Sequence, residues 1–83
     1  GKEFNGVMVS AFEFGIFVKL ENLNIEGFIH VSKLSKKDFF NFEESTMSMK
    51  SARSKRSISI GDNLKVKIQS VESYKGRVNL IMA

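Results

Sequence analysis

Residues 14–31 read FGIFVKLENLNIEGFIHV, and the phase of this stretch decides the fold. Ile16, Val18 and Leu20 alternate with Phe17 and Lys19, the period of two that marks a strand with one buried face. One phase is aliphatic and suits a core. The other turns an aromatic ring and a cation to water. A polar turn, Glu21 to Asn24, leads into a second strand, Ile25 to Val31, which carries the chain's single histidine, His30. Antiparallel pairing of these two strands would bring Phe14, Phe17, Lys19 and His30 onto one sheet surface. Rings spaced to stack on bases, beside a cation for phosphate, make a platform for single-stranded nucleic acid.

The rest of the chain must close a core behind that surface. With 83 residues it forms one small domain, and a chain this size hides only roughly 60–65% of the surface it exposes when unfolded. Nearly every aliphatic and aromatic residue is therefore needed inside. There is no cysteine and only one histidine, which excludes a disulfide framework, a thiolate metal site and any cluster of histidine ligands. No apolar run approaches the ~20 residues of a membrane span, and no signal-peptide pattern opens the chain. A cytoplasmic, monomeric domain cut from a longer protein is the expectation.

Glu3 to Phe12 reads as the first strand, with Val7, Val9 and Ala11 in one phase and Gly6 marking a bulge or bend. Gly15 and Gly27 are expected to relax the backbone of the next two strands in the same way, and the bend at Gly27 to bury Phe28. Ser32 can cap a short helix over Lys33, Leu34 and Ser35. Of Phe39, Phe40 and Phe42, at least two should cover one end of the core.

Net charge is +4, and its distribution says more than its size. Lys50, Arg53, Lys55 and Arg56 lie between Ser45 and Ile60 with no acid among them, while the remaining nine basic residues balance nine acidic ones. Within this segment Met47 and Met49 mirror Ile58 and Ile60. That symmetry suggests a hairpin pairing Met47 with Ile60 and Met49 with Ile58, its basic tip free to meet phosphate. Six serines between 45 and 59 leave a flexible loop open as the alternative. Gly61-Asp62 makes a turn. Leu64, Val66, Ile68 and Val71 then alternate inward against Lys65, Lys67 and Gln69, a turn follows over 72–76, and Val78, Leu80 and Met82 face inward in the last strand. Five strands, a short helix after the third and one small core indicate an all-β fold: a five-stranded antiparallel barrel of the oligonucleotide-binding (OB) type, whose second and third strands form the ligand face.

These residues resemble the S1 RNA-binding domain, a family of OB barrels. The resemblance runs from Gly6 to Met82. It rests on Gly6-Val7, Phe14-Gly15-Ile16-Phe17-Val18, Glu26-Gly27-Phe28-Ile29-His30-Val31-Ser32, and Gly61-Asp62 with the alternating Leu64-Lys65-Val66-Lys67-Ile68. The long connection holding Asp38-Phe39-Phe40-Asn41-Phe42-Glu43-Glu44 before the hairpin is similar to the S1 domain near the C-terminal end of the bacterial ribonuclease R family. Lys50, where glycine is usual, and the ending Leu80-Ile81-Met82 depart from that branch. The resemblance implies RNA contacts at Phe14, Phe17, His30 and Arg77, to which strand phase adds Lys19. It also implies a parent 3′-to-5′ exoribonuclease whose magnesium sits in a separate domain, with no cofactor in this one.

Other readings differ in kind. The domain could serve another RNA-processing or translation protein, or its aromatic face could dock a protein. An enzyme acting alone is the weakest reading. Glu43 and Glu44 are adjacent on an extended segment, so their carboxylates point apart, and no nucleophile or metal site accompanies them.

Overall fold

The computed structural model describes residues 2–21, 23–34, 39–52, 56–72 and 77–83. Among the described residues eight strands follow in chain order: β1 (Glu3–Phe12), β2 (Gly15–Leu20), β3 (Ile25–His30), β4 (Phe40–Glu43), β5 (Ser48–Ser51), β6 (Ser57–Ser59), β7 (Asn63–Glu72) and β8 (Arg77–Met82). Five of them close a barrel in the order β1-β2-β3-β8-β7, and β4-β5-β6 form a separate three-stranded sheet. The barrel is antiparallel except where β3 meets β8, which run parallel with Phe28 opposite Asn79. A parallel junction needs a crossover, and here the second sheet supplies part of it. The expected all-β, five-stranded barrel is the observed one.

The phase of β2 is as its sequence requires. Ile16, Val18 and Leu20 are buried, Lys19 is exposed and Phe17 lies half-buried on the outer surface. They join Met8, Ala11, Ile29, Val66 and Leu80 in a core that continues through Leu34, Phe40, Met49 and Ile58. The last four come from the turn after β3 and from the second sheet, which thereby belongs to the same core.

Several expectations are corrected by the geometry. In β1 the pairing with β2 slips between Met8 and Ser10, leaving Val9 as the extra residue. Met8 and Ala11 are therefore the buried positions while Val9 is exposed. The irregularity falls at Val9 and not at Gly6, which pairs regularly with Leu20 and Leu64. A bulge bends the strand and sharpens its twist, which a five-stranded closure demands. In β3 the register passes Gly27 without a break. Its missing side chain serves packing instead, since a Cβ there would stand 2.6 Å from the side chain of Leu80.

The short helix is a 3-10 turn over Val31–Lys33, capped by the side chain of His30 and not by Ser32. Ser35 lies outside the described residues. Toward the end of β7, Ile68 and Val71 hold inward positions yet are exposed, 37% and 61%. The pairing of β1 with β7 stops at Glu3 opposite Lys67, so nothing from β1 covers them.

The segment 40–60 is ordered further than a hairpin. Met49 pairs with Ile58 as expected, between Ser48–Ser59 and Lys50–Ser57. Met47, however, sits in a turn with φ 49° outside the strand, and β4 adds a third strand by pairing Phe42 with Met49. Phe40 is buried and Phe42 packs against the core, whereas Phe39 is 70% exposed. Two of the three rings thus cover the core. The turn at Gly61, φ 96°, is clamped to β1 by Met8 N–H donating to the Asp62 carbonyl and Gly61 N–H to that of Met8, at 3.0 and 2.9 Å. Val78, Leu80 and Met82 face the core in β8. The expected turn over 72–76 falls, apart from Glu72, outside the described residues.

Candidate nucleic-acid interface

The pleat of β2 and β3 sends every second side chain outward, and the register decides which of them meet. Phe17 stands opposite Phe28, Gly15 opposite His30 and Lys19 opposite Glu26. Phe14 is tied to this surface by the turn, its carbonyl accepting from Val31 N–H at 2.8 Å. Four phenylalanines then close a circuit. Ring centroids lie 5.5 Å apart for Phe12–Phe14, 5.6 Å for Phe14–Phe28, 5.2 Å for Phe17–Phe28 and 5.8 Å for Phe12–Phe17. His30 extends it, edge-on to Phe28 at 6.4 Å.

Phe28 is the residue whose placement differs most from expectation. It is half-buried on the outer face, between Phe14 and Phe17, because β3 does not bend at Gly27. Gly15 makes room for it: a Cβ on Gly15 would lie 2.6 Å from the Phe28 ring. Phe12 joins this surface although sequence reasoning missed it; its phase, out of step with buried Ala11, could have found it. Its ring is nearly parallel to that of Phe14, 7° between planes. Each ring of the circuit touches two others, so the surface is held in shape before anything binds. Phe14 is 54% exposed and Phe12 39%, which leaves ring area for a stacked base.

The polar groups around the rings are placed by the same strands. Ser32 N–H donates to Nδ1 of His30 at 3.2 Å. In the neutral ring the proton therefore resides on Nε2. That nitrogen has no hydrogen-bond partner among the described residues, and it can donate to a sugar or phosphate oxygen. Lys19 and Arg77 are exposed, each with an acid opposite in register, Glu26 and Glu72 respectively. Neither cation forms an ion pair with another described residue. Phe14, Phe17, Lys19, His30 and Arg77 thus share one outer barrel surface.

The basic segment is placed differently. Lys50 is on the second sheet, where its Nζ lies 3.0 Å from Oε2 of Glu43. The Glu43 carboxyl is held below its ordinary value, first by the hydrogen bond from Lys50, against the opposing effect of desolvation. Ser45 Oγ donates to the same carboxylate at 3.2 Å. Glu43 is thus a paired group, and Lys50 is compensated. Arg56 is exposed beside β6, and Arg53 and Lys55 lie outside the described residues. Among the described residues no three His, Cys, Asp or Glu side chains are grouped to hold a metal ion. Nor is any helix there long and apolar enough to cross a membrane.

Residues 1–82 match the S1 RNA binding domain family. The chain belongs to that family. The S1 domain is 35% identical over 79 residues to ribonuclease R 1 of Lactococcus lactis, covering 95% of this chain and 9% of that protein. It is 40% identical over 75 residues to ribonuclease R of Ureaplasma parvum, covering 90% and 10%. Among solved structures, RNase R of Mycoplasma genitalium superposes with a TM-score of 0.91 at 30% identity, over 100% of this S1 domain and 13% of that chain. The same enzyme has been solved in complex with ribose-methylated single-stranded RNA. The S1 domain spans about a tenth of the length of the curated relatives it matches.

Proposed function

We propose that this S1 domain holds single-stranded RNA, as the RNA-binding module of a cytoplasmic ribonuclease R-like 3′-to-5′ exoribonuclease. The observation that carries the reading is the closed circuit of Phe12, Phe14, Phe28 and Phe17 with His30 at its edge. Every base has a face to stack, and one such contact is worth ~1–3 kcal/mol. Two or three contacts give modest affinity with little dependence on sequence, which suits a strand that must slide. Lys19, Arg77 and the outward nitrogen of His30 supply phosphate and sugar contacts beside the rings.

The likeness to ribonuclease R supports the parent activity. Because the match covers only about a tenth of those enzymes, hydrolysis is assigned to a domain outside this chain. The domain acts here as a monomer that presents one face.

Titration of a labelled single strand at low salt tests the reading. Binding in the micromolar range is expected, weakening with salt at a log–log slope of about −0.7 per neutralised phosphate. Absence of binding at high micromolar protein would overturn it. An apolar interface with a protein partner, the competing reading, would respond to salt much less.

A further inference from the structure

The outward row that contains Phe17 and Phe28 does not end at β3. Phe28 stands opposite Asn79 on β8, and Asn79 opposite Ser70 on β7. The aromatic platform therefore meets a carboxamide at its edge. Asn79 is half-buried, and its Nδ2 donates to Ser70 Oγ at 3.0 Å and to Glu72 Oε1 at 3.3 Å. Both acceptors lie on β7, one strand further from the rings.

Chemistry decides which end of this amide faces them. A hydroxyl can donate or accept, but an ionised carboxylate only accepts. The group turned toward Glu72 must be the nitrogen. Oδ1 is then the end of the amide left for a ligand, on a residue whose register neighbour in β3 is Phe28. No described residue donates to it.

We propose that Asn79 Oδ1 reads the edge of the base stacked at Phe28 and favours cytosine over uracil. This rests on the RNA-binding reading above. Stacking tolerates all bases, so discrimination must come from a fixed edge group, and Asn79 is fixed by two hydrogen bonds. Cytosine presents its N4 amino group as a donor, while uracil carries a carbonyl oxygen at the same ring position. Oδ1 is an acceptor beside the rings. An amino group fits there, and a carbonyl meets like against like. Uracil's one ring donor, N3–H, is recessed between two carbonyls.

Oligocytidylate and oligouridylate of equal length provide the test, since they differ in that edge and share ring size. The S1 domain should bind oligocytidylate more tightly by roughly two- to tenfold, the worth of one neutral hydrogen bond. Asn79→Ala should bring the ratio close to one by weakening oligocytidylate alone. Glu72→Gln is the second variant, in case loss of Asn79 disturbs the fold. A glutamine can offer either end of its amide, so Asn79 is free to turn. Both oligomers should then bind somewhat better for want of an anion, while their ratio shrinks. Equal wild-type affinities, an unchanged ratio in a folded Asn79→Ala, or an unchanged ratio in Glu72→Gln would each overturn the proposal. A loss shared equally by the two oligomers would also overturn it, assigning the oxygen to the ribose hydroxyl. If neither oligomer binds at all, the RNA-binding reading itself fails.

Discussion

The barrel face and the β4-β5-β6 sheet draw on the same residue types, phenylalanine and cations, and use them in opposite ways. On the barrel face the rings of Phe12, Phe14, Phe17 and Phe28 lean on one another outside the core. On the second sheet Phe40 and Phe42 are turned into the core. Lys19 and Arg77 make no ion pair with another described residue, whereas Lys50 is joined to Glu43. Composition does not separate a binding surface from a supporting one. What separates them is strand phase relative to the core, and whether the folded neighbours have already satisfied the charge.

Breaking each region should therefore break a different property. Phe40→Ala should cost about 3–5 kcal/mol of stability, as for other buried aromatics cut to alanine, a large fraction of what a domain this small possesses. Phe39→Ala, next to it but exposed, should move the denaturant midpoint little. If the two variants unfold alike, the second sheet does not share the barrel's core.

On the barrel face the loss should appear in binding. Phe28→Ala and Phe17→Ala should each weaken RNA affinity by ~1–3 kcal/mol. Each also removes two or more ring–ring interactions, worth ~0.5–1.5 kcal/mol apiece, so a moderate drop in melting temperature should accompany the weaker binding. Unchanged affinity in a folded Phe28→Ala would remove that ring from the platform.

Charge should separate the regions more finely. Lys19→Ser and Arg77→Ser should each flatten the salt slope by up to ~0.7, the share of a single neutralised phosphate. Lys50→Ser should leave the slope as it was, because its partner is already Glu43. A flatter slope in Lys50→Ser would show that RNA competes with Glu43 for the ammonium.

The smallest effect belongs to pH. The Glu43 carboxyl is lowered in the folded state, chiefly by Lys50. The depressed value means that its contribution is fully present above the unfolded carboxylate range, about 4.3. It is lost as pH falls below that range through the folded value. Denaturant midpoints followed downward from neutral pH should fall slightly less for Lys50→Ser than for wild type. Parallel curves would show that the exposed pair adds nothing measurable.

How much of this is legible in the sequence depends on distance along the chain. The phase of Ile16, Val18 and Leu20 against Phe17 and Lys19 is a property of one strand, and its pleat alone determines it. The Gly61-Asp62 turn and the match of Met49 with Ile58 are nearly as local. From such pieces the barrel, and the placing of Phe14, Phe17, Lys19 and His30 together on its outer β2–β3 face, follow without coordinates. The outward turn of Phe28 needs the knowledge that Leu80, far away in sequence, packs against Gly27. The slip at Val9 answers to ring closure, which no single strand records. The Lys50–Glu43 pair requires β4, and the orientation of Asn79 requires Ser70 and Glu72 on the neighbouring strand. Alternation is decided within a strand by covalent geometry. Which outward groups meet, and which charges are already answered, is decided between strands by register, and register exists only once the barrel has closed.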